Sequence, residues 1–222
     1  MGIATGYLCL GFMLVLLTKY PARKFAWMKI NRLLMKCHKY AVFAFLLTGI
    51  LHFILVLPVL QNRMAVVTVS GLIAVMGGIG ILVFCHTMKD DKKKLRVHRA
   101  LSILLLCTVL VHISFYFIDL HRYRSAIQQI SVQEIDLNTI SDGIYIGDFD
   151  TGYIYAKVQV TVQAHRIVSI ELLEHRNERG VSAERVLRAM LSGQTIQVDA
   201  VSGATNSSLV IEKACENALL GD

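Results

Sequence analysis

Two histidine pairs in this chain share one spacing. His38 and His52 bracket the apolar run KYAVFAFLLTGIL, and 60 residues later His98 and His112 bracket RALSILLLCTVLV. A Lys or Arg directly follows the first histidine of each pair (Lys39, Arg99). On an α-helix, residues fourteen apart lie about 21 Å apart along the axis and within roughly 40° of one face. Two such helices side by side present paired imidazoles at two levels, and each level can hold a metal-centred cofactor between its two rings. Neutral imidazole is a usual axial ligand of haem iron. His52 and His112 lie well inside apolar runs, where a strongly polar group is costly and tends to face the bundle interior with a function.

A second constellation lies near the other end. Asp199-Ala-Val-Ser-Gly-Ala-Thr-Asn-Ser-Ser208 precedes a stretch that reads as a closing helix from about Ser207 to Leu220. Thr205 stands just before a helix start, by unpaired backbone N–H groups at the positive end of the helix dipole, where a phosphate is favoured. Gly203 lets the backbone approach a ligand closely. Ser207 or Asn206 is expected to cap the helix.

The elements that must position these residues follow from hydropathy and charge. Mean hydropathy is +0.54 and 55% of residues are hydrophobic, too apolar for an ordinary soluble protein. Residues 1–124 carry 16 Lys and Arg against 3 Asp and Glu, whereas residues 125–222 carry 7 against 13. The overall +7 is therefore a membrane feature and not a nucleic-acid one. Four apolar stretches, near 3–19, 39–60, 65–87 and 98–118, are long enough to span a bilayer of about 30 Å. The first is read as a retained helix, since it lacks a basic start and a small-residue cleavage site.

Lys and Arg crowd the segments 19–39 and 88–97, while the loop 61–64 holds only Arg63. The positive-inside rule puts both basic loops in the cytoplasm, with the N-terminus and everything after residue 118 outside. Trp27 suits the inner membrane surface. The two histidine helices then run parallel, which pairs His38 with His98 at an inner level and His52 with His112 at an outer one. His86, at the inner end of the third helix, is a rival inner ligand. His121, His165 and His175 have no partner by spacing and are expected at the surface. Gly71, Gly77, Gly78 and Gly80 in the third helix, with Ala74 and Gly78 in small-xxx-small spacing, point first to close helix packing and second to a face on which a flat macrocycle can lie. Five cysteines without C-x-x-C disfavour a disulfide framework, a zinc site and a c-type haem.

The acidic remainder reads as a small α+β domain. Ile154 to Val162 alternates apolar and polar residues, as a half-buried strand does. A turn near Gln163–Arg166 leads to a second strand at 167–173, with an earlier one at Gly143–Gly147. A helix near 182–191 and a strand at 194–198 follow. The expected fold is a membrane α-helical bundle of four transmembrane helices (1–120), a connector (121–140) and an extracytoplasmic α+β domain (141–222).

The histidine pattern over about residues 35–118 resembles the haem-binding core of the ferric-reductase and NADPH-oxidase transmembrane family, although four helices are expected here where that family usually has six. The loop at 199–208 resembles the flavinylation motif of the FMN-binding domain family, found also in subunits of sodium-pumping quinone reductases and Rnf complexes. In that family the final Thr of S-G-A-T is joined to FMN by a phosphoester bond. That implies covalent FMN on Thr205, with Asp199, Ser202, Gly203, Ala204 and Ser207 around it. Asp142-Gly-Ile-Tyr-Ile-Gly-Asp148 matches the D-G-x-Y-x-G opening of the same domain.

Together the resemblances imply an oxidoreductase of the bacterial plasma membrane. Electrons would enter from the cytoplasmic side, cross two b-type haems and reach FMN outside, to reduce ferric iron or a partner redox protein. No G-x-G-x-x-G occurs, so a separate cytoplasmic or quinol donor is expected. A flavin transferase is expected for maturation, membrane lipid around the bundle, and no nucleic-acid partner. The alternatives are a quinol-linked cytochrome b with an attached flavin, and a membrane-anchored flavin sensor or anchor without haem.

Overall fold

The computed structural model describes residues 2–177 and 180–221. The chain divides into two units, one ending at Phe117 and one beginning at Ile118. In the first unit the helices are α1 (Gly2–Leu17), α2 (Lys19–Lys24), α3 (Met28–Val56), α4 (Ala65–Thr87) and α5 (Asp91–Gln128). Because α1 runs on into α2, and α3 into a 3-10 turn, four stretches are long and apolar enough to cross a membrane. Their outward side chains are large hydrophobics such as Leu47, Ile73, Met76 and Leu104, which suits lipid and not water.

The helix ends differ from the sequence expectation for local reasons. Met28 to Lys39 is rich in Lys, Arg, Leu and Met, all good helix formers, so α3 starts eleven residues before the expected 39. It stops at Val56, where Pro58 withholds a backbone donor and the chain tightens into the 3-10 turn Leu57–Asn62. The Asp90 carboxylate accepts from the backbone N–H groups of Lys92 and Lys93, at 3.0 and 3.1 Å, and so organises the start of α5. That helix continues ten residues past the expected 118. Gly78 of α4 behaves as small-xxx-small packing requires: a Cβ there would lie 2.9 Å from Leu46 Cδ2 of α3.

In the second unit, β1 (Gly143–Asp150), β2 (Tyr155–Gln163) and β3 (Arg166–Arg176) form an antiparallel sheet in the order β1-β2-β3. Alternation along β2 puts Ala156, Val158, Val160 and Val162 into the core, each fully buried. The β2–β3 hairpin turns on Ala164 and His165, both at positive φ (49° and 58°), the backbone shape whose twist matches the strands. After the 3-10 turn Val181–Arg185 come α6 (Val186–Gly193) and α7 (Thr205–Leu220). The apolar side of α7, through Val210, Ile211, Ala214, Cys215 and Ala218, covers β2. Ile127 from the end of α5 and Ile140 join this core, so residues 118–140 fold as part of the second unit.

The strand expected at 194–198 does not form. Gln194 ends α6 in the left-handed region (φ 54°), and its side-chain amide takes both backbone groups of Ile167: Oε1 accepts from the N–H and Nε2 donates to the carbonyl, each at 2.9 Å. A side chain thus occupies the place a strand backbone would have paired, while Ile196 still enters the core.

Candidate cofactor sites

In the first unit the four spaced histidines come together as two pairs. The His38 and His98 ring centroids are 6.2 Å apart with planes at 86°; those of His52 and His112 are 6.5 Å apart with planes at 85°. Two imidazoles ligating one metal from opposite sides, at about 2 Å per metal–nitrogen bond, hold their centroids about 6 Å apart. His86, in the last turn of α4, belongs to neither ring pair. Among the described residues, no group of three or more His, Cys, Asp or Glu gathers as a metal-ion cluster. Each pair supplies two donors, the number that a porphyrin-bound iron takes when a protein fills both of its axial positions.

Carbonyl partners orient the rings at the His52/His112 level. His52 Nδ1 lies 2.7 Å from the Gly2 carbonyl, and His112 Nδ1 lies 3.0 Å from the Val67 carbonyl. A carbonyl only accepts, so Nδ1 carries the proton in both rings and Nε2 keeps its lone pair. Ser70 Oγ lies 3.2 Å from His112 Nδ1 and donates to the Val66 carbonyl at 2.6 Å. Glycine makes room on each side: a Cβ on Gly6 would lie 3.0 Å from His52 Cε1, and one on Gly71 would lie 3.0 Å from His112 Cε1. At the other level the partner is soft, Cys85 Sγ at 3.4 Å from His98 Nδ1. The carbonyl partners follow from the third dimension, and no spacing rule could have found them.

In the second unit a cleft of about 330 Å³ opens at the start of α7, with Gly203, Ala204, Thr205 and Ser207 along one side and Tyr123, Ile154 and Gly180 on the others. Thr205 is exposed and is the first residue of α7. The N-cap is Ala204, with no side-chain cap bond. The expected cap by Ser207 or Asn206 is therefore corrected, because both lie inside the first turn. Ser207 is instead buried against Gly180, where any Cβ would overlap its hydroxyl. An uncapped first turn leaves backbone N–H groups for an anion. Gly203 at φ 80° supplies the left-handed residue that turns the loop into the helix.

Ser208 holds that loop in shape. Its fully buried hydroxyl accepts from the Val201 N–H and donates to the Ala204 carbonyl, both at 3.1 Å. Asp199 and Ser202 are exposed on the approach to the turn, outside the lining of the cleft. The D-G-x-Y-x-G segment also stands outside it, on β1. Gly147 there lies under α7, where a Cβ would strike the backbone at Ala214 and Ala218. Tyr123 is a lining residue that the motif did not announce, and Asn206, expected only as a cap, lines the cleft as well; Asn206 Nδ2 donates to the Tyr123 hydroxyl at 2.6 Å.

His175 does not take the surface role expected of it: its side chain is 3% exposed, between Glu184 and Asn177. Further along α7, burial pushes the Glu212 carboxyl up to about 7, and its Oε1 has no hydrogen-bond partner. Burial, with the Glu212 charge nearby, pushes the Cys215 thiol up to about 12 and leaves it inert.

Residues 152–220 match the model of the FMN-binding domain family. No curated protein matches the chain. The match takes in β2, β3, α6, α7 and the Thr205 turn, and starts just after β1. It supports an FMN-binding domain and, with it, a flavin-linked redox role.

Proposed function

We propose that the chain is a ferric-reductase-like membrane oxidoreductase that carries electrons from a cytoplasmic or quinol donor, through two b-type haems and a covalently bound FMN, to an extracytoplasmic acceptor such as ferric iron or a partner redox protein. His38 with His98, and His52 with His112, hold the haem irons; Thr205 carries the flavin through a phosphoester bond made by a flavin transferase. The redox chemistry belongs to the cofactors, and the protein contributes position, orientation and a low-dielectric surrounding. The match over 152–220 supports the flavin half. The observation that carries the haem half is the pair of ring separations, 6.2 and 6.5 Å, together with the carbonyl bonds that leave Nε2 of His52 and His112 free to ligate.

At the flavin end, Gly203 and the uncapped turn at Thr205 receive the phosphate, and exposure of Thr205 keeps its hydroxyl within reach of the transferase. In the bundle, Gly6 and Gly71 let the rings approach α1 and α4 closely, and the Gly2 and Val67 carbonyls hold their tautomers. Basic segments at 19–39 and 88–97 favour a cytoplasmic position for those loops, which leaves the flavin domain outside.

The test is an absorption spectrum of the purified full chain, oxidised and dithionite-reduced, with haem and acid-stable flavin counted per chain. We expect two b-type haems and one covalent flavin, loss of haem in His52→Ala and loss of flavin alone in Thr205→Ala. Flavin without haem in the unaltered protein would overturn the haem half and leave a membrane-anchored flavoprotein.

A further inference from the structure

We propose that Tyr123, on the last turns of α5, is the platform against which the isoalloxazine ring of the flavin lies. The inference rests on the reading that Thr205 carries FMN. An FMN esterified at Thr205 has its phosphate at the helix start and must place a flat, largely apolar ring elsewhere in the same cleft. Gly180 and Gly203 offer no side chain, and Ile154, 3% exposed, offers an aliphatic edge. Tyr123 is the aromatic residue of the lining. Offset or edge-on packing against such a ring is what a flavin ring prefers.

The Tyr123 ring is held before any ligand arrives. Its hydroxyl accepts from Asn206 Nδ2 at 2.6 Å, one residue from the attachment point. It packs edge-to-face with Tyr153, at 5.2 Å between centroids and with planes at 78°. The Tyr153 hydroxyl in turn lies 3.3 Å from Asp119 Oδ1, and Asp119 is 1% exposed. A side chain fixed at both ends has little rotamer entropy left to lose on contact with a ligand. The bond from Asn206 also ties the platform to the first turn of α7, so ring site and attachment site are set by one contact.

A phenol packed on a flavin quenches its emission and imposes circular dichroism on its visible bands. The experiment uses the full chain purified in detergent, with Tyr123→Leu, Tyr123→Trp and Thr205→Ala beside the unaltered protein. Flavin per chain, emission per flavin and induced circular dichroism are measured for each. We expect Tyr123→Leu to keep its acid-stable flavin, to emit several-fold more light per flavin and to lose most of the induced dichroism. Tyr123→Trp, which keeps a flat electron-rich ring, is expected to remain quenched. Flavin-loaded Tyr123→Leu with unchanged emission and dichroism overturns the platform. If Tyr123→Leu fails to load, Tyr123→Trp decides: loaded and quenched supports the platform, loaded and bright overturns it. Absence of acid-stable flavin from the unaltered protein, or its persistence in Thr205→Ala, overturns the attachment reading instead.

Discussion

Glu212 is a buried carboxyl on the packed face of α7, and its Oε1 has no hydrogen-bond partner. Glu212 is 4% exposed and stands at about 7, far above its ordinary 4.5. Its neighbour Glu216 shows the contrast, since it accepts from Lys213 Nζ at 2.7 Å and from the Gln133 N–H at 3.1 Å. For Glu212 the folded state holds its proton where the unfolded chain has released it. Between the two pKa values the unfolded state therefore binds fewer protons, and stability falls as pH rises. The loss begins near the unfolded value and is complete above the folded one, with a magnitude of up to about 3 kcal/mol. Thermal unfolding of the full chain between about pH 5 and about pH 8 should show this decline. Glu212→Gln should flatten it while leaving the melting temperature at the acid end nearly unchanged. An equally steep decline in the variant would locate the proton elsewhere.

Among the elements, α7 and β1 illustrate what a motif glycine does when it does not touch a ligand. Gly147 is the closing glycine of D-G-x-Y-x-G, and the α7 backbone at Ala214 and Ala218 passes directly over it. Gly147→Ala should lower the stability of the second unit by about 2 kcal/mol or more, because neither backbone can yield without moving the helix. Gly143→Ala, whose Cβ would have the Tyr145 side chain as its nearest neighbour at 3.4 Å, serves as the control and should change the melting temperature little. The same comparison explains what was legible in the sequence. Period-two alternation located β2 because one face of it is fully buried, and α4 was delimited well because charge and hydropathy change sharply at its ends. The extension of α5 to Gln128 was not legible, since its last ten residues are polar and stabilised by packing in the second unit. The strand at 194–198 failed because a side-chain amide can imitate a backbone, which composition does not reveal. Within the cofactor cleft, S-G-A-T marked the turn at Thr205, but Tyr123 lies more than eighty residues away in sequence, and only folding brings it to Asn206.

For the whole molecule, the division of charge is the determining feature: the basic half is helical and apolar, the acidic half is a sheet under two helices. The orientation it implies can be read with a membrane-impermeant thiol reagent on intact cells, in a chain whose native cysteines are replaced by serine. Ser192→Cys, exposed in the second unit, should label, whereas Lys93→Cys, exposed on the first turn of α5 in the basic segment, should label only after lysis. The opposite pattern would invert the proposed topology. One detail of the second unit matters in this light. A domain held at a membrane surface is concentrated in two dimensions, and β3 ends the sheet, so neighbouring copies could zip together strand to strand. The amide of Gln194 already occupies both hydrogen-bonding groups of Ile167, so at that position the exposed edge is closed to aggregation from within the chain itself.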